Sequence, residues 1–305
     1  MSQVRIWKQH SRIKLRFYKH YVKICSDHHK KDNYQKFTLV DLYCGEPRIQ
    51  FEGNEYIDGS PLIALKKKVK CVFNDISESV VENVKNLKNK YQQQIIEVFN
   101  SDANENLEVI LEKVPSFYHS LFYLDPNNAS QLSFETIKKI IDHEYIYKNS
   151  KEVRRPEILI NFPIYSITKN CGFIDKQNHS QCEINTKFYG NDHWKQAYQK
   201  GNNPDERRRN LFTTFLENFK PFYIHSYSVL VESLKSNTPL YYIVFFSNYS
   251  RIDEILPKLV GNIERWKKDD YIRRYKYGIS RPIDCYNREE SIDILSSDES
   301  KNKDT

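Results

Sequence analysis

The chain predicts an α/β fold: a mostly parallel, doubly wound sheet closed by a C-terminal antiparallel β-hairpin. Short β-type runs alternate with helical segments between residues 37 and 162, and such alternation requires a parallel sheet covered on both faces. Two later runs, Phe222–Val231 and Leu240–Phe246, are separated only by the eight residues ESLKSNTP. A parallel crossover needs a dozen or more residues, so these two runs pair antiparallel. Glycine is scarce, at 8 of 305 residues, so each one is worth locating.

The elements follow in order. From Ile13 the apolar positions Phe17, Tyr21 and Ile24 recur at helical spacing while Lys14, Lys19 and Lys23 fall elsewhere, which predicts a core-facing helix with a basic outer face. The strand runs are Phe37–Tyr43, Lys70–Asp75, Gln94–Phe99, Leu121–Asp125 and Glu157–Phe162, with helices such as Glu78–Tyr91 and Glu105–Lys113 between them. Gly45 to Ser60 reads as a long loop, with Ser60 as the N-cap and Pro61 in the first turn of the helix that follows. Five parallel strands and an edge hairpin make the topology of class I methyltransferases, so a Rossmann-like fold of that class is expected. Residues 1–36 are set apart as a basic helical segment and 37–280 as the domain, with a polar, irregular insertion at about 169–210. The tail 281–305 is acidic and expected to be disordered.

Composition removes other classes. No apolar run approaches the ~18 residues of a membrane span, and the basic N-terminus lacks the apolar stretch of a signal peptide. Six scattered cysteines do not make a disulfide framework, so a reducing, cytoplasmic compartment is expected, or a nuclear one in a eukaryote. The net charge of +7 is uneven: residues 1–36 hold ten Lys/Arg against Asp27 and Asp32. Clustered cations gain from counterion release on a phosphate backbone, making Arg12, Lys14, Arg16, Lys19 and Lys23 candidate nucleic-acid contacts. The plainer alternative is a solvated helix face.

Ligands of doubly wound sheets bind beyond the carboxyl ends of the strands, and here those ends are polar. The first run ends in Asp41 followed by the turn Cys44-Gly45-Glu46-Pro47, where glycine lets the backbone approach a ligand. The second ends in Asp75, a carboxylate able to hold both ribose hydroxyls. The third is followed by Asp102 and Asn104, suited to an adenine amino group or to capping the next helix. The fourth ends in Asp125-Pro126 and the fifth in Asn161-Phe162-Pro163. Together they suggest a nucleoside-type ligand.

The segments VDLYCGEPR, DGSPLIAL, NSDANENL, LFYLDPNN, ILINFP, KFYGNDHW and PLYYIVFFSNY, in this order, resemble the three-Cys-motif partner proteins, a group similar to S-adenosylmethionine (SAM)-dependent methyltransferases. The resemblance spans roughly residues 10–260 and implies SAM as cofactor and a partner protein carrying a three-cysteine motif. It makes Asp41 and Gly45 the first cofactor motif and Asp75 the ribose acid. It also puts Asp102 and Asn104 near the adenine, and Asp125 and Pro126 at the transferred methyl. Two departures stand out: the second glycine of the first turn is Pro47, and Asn127-Asn128 replace an aromatic–glycine pair.

No cysteine follows the fourth strand in the context a C5-cytosine nucleophile needs, so transfer to N or O is expected, with Asp125 orienting the acceptor or taking its proton. Asn161-Phe162-Pro163-Ile164-Tyr165 carries components of an amino-methyltransferase motif in altered spacing. The alternative is a methyltransferase-fold binding module whose cofactor site has decayed through Gly45-Glu46-Pro47. A nicotinamide dehydrogenase lacks its tight glycine-rich turn here. No metal is expected: Cys171 and Cys182 match no zinc spacing, and Cys25 with His28 and His29 sits on a basic helix end. Trp194 packs or, with Asp192 and His193, lines an acceptor pocket, and Arg207–Arg209 is a solvated run or a phosphate contact. Ile292–Leu295, followed by an acidic flank, matches a SUMO-interacting strand in a eukaryotic source.

Overall fold

The computed structural model describes residues 10–31, 37–51, 55–146, 153–174, 179–233, 236–249 and 252–271. Five strands are parallel neighbours: β1 (Phe37–Asp41), β2 (Lys70–Asp75), β3 (Ile95–Asn100), β4 (His119–Leu124) and β5 (Glu157–Phe162). The hairpin β6 (His225–Glu232) and β7 (Pro239–Ser247) joins β5 through antiparallel β7. The seven-stranded order is β6-β7-β5-β4-β1-β2-β3. It is the Rossmann-like class I methyltransferase arrangement, with the chain switching direction across the sheet between β1 and β4.

Side chains alternate across each strand, dividing the core by face. Leu39, Cys71, Tyr123, Leu159 and Phe245 lie on one face, against Ile13, Phe17, Tyr18, Tyr21 and Val22 of helix α1 (His10–Lys31). Val40, Phe122, Ile160 and Val244 lie on the other. There they meet α2 (Phe134–Ile141), α3 (Ile164–Cys171), α4 (His179–Tyr189), α5 (His193–Gln199) and α6 (Pro204–Glu217).

α1 is built into the domain's own core through the apolar positions its helical spacing marks, with Lys19 and Lys23 exposed. It crosses the sheet from one edge to the other. Near its middle, Tyr21 donates to Glu157 at 2.6 Å, and Glu157 also takes a hydrogen bond from Ser247 at 2.6 Å and pairs with His119 at 3.0 Å. Burial pushes the Glu157 carboxyl up, but His119 and these donors outweigh it and hold the group below its ordinary value.

Four expectations of local structure are corrected. The segment 169–210 is mostly helical, because apolar residues such as Phe188, Tyr189 and Trp194 recur within its polar composition and are fully buried. The Gly45–Ser60 loop contains a two-stranded hairpin, Arg48–Phe51 paired with Glu55–Asp58. Ser60 is the first helical residue, not the N-cap: Gly59 occupies the cap position, and the Ser60 hydroxyl donates inward to the Cys44 carbonyl at 2.9 Å. Glu78–Tyr91 also divides, into Glu78–Lys85 and Lys88–Tyr91. No helix among the described residues is long and apolar enough to cross a membrane. The tail 281–305, with Ile292–Leu295, lies outside the described residues.

Gly59 closes the hairpin onto the turn after β1. Its N–H donates to the Pro47 carbonyl at 2.8 Å, and a Cβ at this position would meet the Glu46 carbonyl oxygen at 2.0 Å. Gly59→Ala therefore has to displace backbone at both segments. It is expected to destabilise the protein by about 2 kcal/mol or more in urea denaturation, and unchanged stability would contradict the closure described.

Candidate functional site

The two-residue period of the strands puts Asp41, Tyr123, Asp125, Asn161 and Tyr241 on the α1 face. Helical spacing on α1 brings Lys14, Tyr18 and Tyr21 down onto that same face. The carboxyl end of β1 is therefore roofed by α1. Asp41 is fully buried. Its Oδ1 accepts the Tyr43 N–H at 3.3 Å, and its Oδ2 has no hydrogen-bond partner. Burial pushes its carboxyl up to about 8. The Ser60 hydroxyl opposes the shift, while Asp125 and Asp75 add to it. The buried Tyr18 hydroxyl and Asn161 Oδ1 likewise lack partners. Buried polar groups of this kind are costly unless something satisfies them, and these three come from β1, β5 and α1.

Asp125 lies just past β4 and is already engaged. Its Oδ2 forms an ion pair with Lys14, and its Oδ1 accepts Asn161 Nδ2 at 2.6 Å. Tyr123 stands 3.4 Å from Oδ2 and 3.4 Å from Asn161 Nδ2. Asp125, Asn161 and Tyr123 thus form one hydrogen-bonded unit across β4 and β5, with Pro126 buried behind it. The rings of Tyr18 and Tyr123 lie 4.6 Å apart and wall off the Asp41 side.

On the other side of β1, Gly45 adopts a φ of +63°, and nothing lies within 4 Å of where its Cβ would be. That combination leaves room for a ligand against the backbone. Asp75 accepts the Gly45 N–H at 2.9 Å and the Ser77 N–H at 2.9 Å. A carboxylate has about four lone-pair sites, so these two bonds orient the group and leave acceptor capacity. Asp102 accepts the Asn104 backbone N–H at 2.7 Å. The Asn104 amide is spent on the neighbouring loop: Nδ2 donates to the Gln131 carbonyl at 2.9 Å, and Oδ1 accepts from Ser133 and Thr136. It holds the loop that carries Asp102 instead of offering a free amide.

The five basic candidates separate by exposure. Arg12 and Lys14 are buried, and Arg12 pairs with Glu55 on the hairpin. Arg16 is half-buried, while Lys19 and Lys23 are exposed, Lys23 lying near Asp27. Trp194 packs: it is fully buried and its indole N–H donates to Thr186 at 3.1 Å. Arg207 donates to the Gly201 carbonyl and lies over the Tyr198 ring, and Arg208 pairs with Asp205, leaving Arg209 exposed. Among the described residues no group of three or more His, Cys, Asp or Glu could hold a metal, and Cys171 and Cys182 are free thiols.

Two features escaped the reading of the sequence. Ile76, directly after Asp75, is an apolar side chain left 68% exposed at the end of β2. Its position beside a strand-end carboxylate was a legible signal. The roof of Lys14 and Tyr18 was not, because nothing local says which way α1 crosses the sheet.

No family model matches the sequence, and no curated protein does. Solved structures are similar in fold. A protein of Legionella pneumophila is 10% identical, covering 82% of this chain and 90% of its own, with a TM-score of 0.48. An O-methyltransferase from Bacillus cereus in complex with SAH is 12% identical over 76% of this chain and 79% of its own, with a TM-score of 0.37. The O-methyltransferase TomG from Streptomyces achromogenes, in complex with SAM, is 8% identical over 81% and 93%, with a TM-score of 0.37. The architecture assigned to this chain rests on its own strand order.

The raised Asp41 carboxyl has a consequence for stability. In the unfolded chain the group ionises near the ordinary ~3.9; in the fold it does so at about 8. Between those values the folded state holds one proton more than the unfolded state. Stability therefore falls as pH rises, with a slope of up to about 1.4 kcal/mol per pH unit. Asp41→Asn should remove this slope between pH 5 and pH 8 in denaturant titrations. Parallel pH profiles for the two proteins would contradict the assignment.

Proposed function

We propose that this protein binds SAM at the carboxyl ends of β1, β2 and β3 and transfers its methyl group to a nitrogen or oxygen acceptor beside Asp125. The observation that carries the reading is the buried, unpartnered oxygen of Asp41, whose burial and carboxylate neighbours make a cation welcome. SAM brings a sulfonium and an ammonium. The residues present fit it: Gly45 leaves backbone space, Asp75 has acceptor capacity that would suit a ribose diol, and Asp102 and the exposed Ile76 would flank a base. When bound, SAM supplies an activated methyl group. Asp125 then receives the acceptor's proton, Asn161 and Tyr123 fix the orientation of that carboxylate, and α1 keeps water from this side.

A nucleic-acid acceptor draws its support from the outer face of α1 alone, through Arg16, Lys19 and Lys23, since Arg12 and Lys14 are committed to carboxylates. One observation favours the second reading, a binding module serving a three-cysteine-motif partner: Glu46 and Pro47 sit where a glycine turn would give more room, tied to Gly59 from behind. Binding without transfer to any acceptor would select it.

The test is calorimetry with SAM on wild-type protein and on Asp41→Asn and Asp75→Ala. Binding is expected near micromolar strength and weakened in both variants, and saturation at about a hundred times Kd should stabilise the fold by roughly 2.7 kcal/mol. Because a bound cation favours ionised Asp41, wild-type affinity should rise with pH below 8, approaching about tenfold per unit, and this dependence should vanish in Asp41→Asn. No binding up to millimolar SAM, or a pH-independent wild-type affinity, would overturn the reading.

A further inference from the structure

We propose that the Asp125 subsite accepts a primary alkylammonium, and that Lys14 occupies it in the resting protein as an intramolecular stand-in for the acceptor. The proposal deepens the methyl-transfer reading and rests on it for the chemistry, though not for the binding.

The geometry is that of a site already holding an amine. Lys14 reaches from α1 to the carboxyl edge of the sheet with its side chain 10% exposed, and its Nζ pairs with Asp125 Oδ2. Asp125 is held for this purpose, because Asn161 Nδ2 fixes Oδ1 at 2.6 Å and leaves Oδ2 to the ammonium. Asn161 is 3% exposed, and its own carbonyl oxygen is buried without a partner on the same amide that grips Asp125. An ammonium has three donors and no acceptor. A carboxylate oxygen, an unpartnered amide oxygen and the Tyr123 hydroxyl make an acceptor-rich setting suited to it. The hydroxyl of an alcohol acceptor would leave Asp125 charged and uncompensated once Lys14 moved away, whereas an incoming ammonium replaces Lys14 charge for charge.

The transfer step balances. After displacing Lys14, the acceptor ammonium gives one proton to Asp125 Oδ2. The freed nitrogen lone pair forms the N–C bond to the methyl of SAM as the S–C bond breaks, its electron pair staying on sulfur. The product leaves as an N-methylammonium ion with S-adenosylhomocysteine, the Asp125 proton passes to water, and Lys14 returns.

The test uses the full chain carrying Lys14→Ala, with n-butylammonium as the amine and tetramethylammonium as a cation without N–H donors. Butylammonium is expected to raise the Tm of Lys14→Ala saturably, tetramethylammonium is not, and the effect should be lost in Lys14→Ala/Asp125→Asn. With SAM added, N-methylbutylamine should form roughly tenfold faster in Lys14→Ala than in wild type, where Lys14 competes. If Lys14→Ala folds only with amine present, refolding yield with and without butylammonium gives the same readout; folding in neither condition overturns the proposal. Equal response to both cations overturns it, as does SAM binding with no amine methylated. Butylammonium binding to Lys14→Ala while SAM binds no variant would sustain the ammonium subsite and sink the methyl-transfer reading instead.

Discussion

The carboxyl edge of this sheet is organised by one constraint: a carboxyl group, Asp41, buried completely at the end of the central strand. Burying an ionised carboxylate costs several kcal/mol unless it is paired, and the Ser60 hydroxyl and Tyr43 N–H offset only part of that cost. Asp75 and Asp125 stand close enough to raise the cost further. The fold answers this with two devices. It lets Asp41 keep its proton up to about pH 8, and it gives the neighbouring Asp125 a cation from α1.

α1 consequently does two jobs along its length. Its middle is clamped at the opposite edge of the sheet, where Tyr21 meets Glu157. Its first turns bring Arg12 and Lys14 over the carboxyl edge, to Glu55 and Asp125. The clamp explains how a lysine ends up buried beside a carboxylate without the helix being pulled out of register. Among the described residues, cations clustered in sequence divide in space: Arg12 and Lys14 turn inward to carboxylates, while Lys19 and Lys23 are exposed.

Much of the fold was legible. Glu157–Phe162 and Lys70–Asp75 were read to the residue, since apolar runs bounded by turn residues leave little choice of register. The antiparallel pairing of the last two strands followed from an eight-residue connection too short for a crossover. The polar strand ends Asp41, Asp75, Asp102 and Asp125 were likewise visible in advance. What failed had physical reasons. The segment 169–210 looked irregular because Phe188, Tyr189 and Trp194 are spaced among many polar residues, and only three-dimensional packing gathers them into one buried layer. Ser60 was read as a cap by residue type, yet its hydroxyl is drawn inward to Cys44. The Lys14–Asp125 pair spans 111 residues of sequence, and no local pattern encodes a contact so remote.

The central claim is that Asp41 waits, protonated, for a cationic ligand. Its most direct test is carboxyl carbon-13 NMR of Asp41, titrated with and without saturating SAM. The free protein should show Asp41 ionising near pH 8, and bound SAM should pull that transition down toward the ordinary carboxylate range. An Asp41 that titrates normally in the free protein, or whose high transition is unmoved by SAM, would contradict the account.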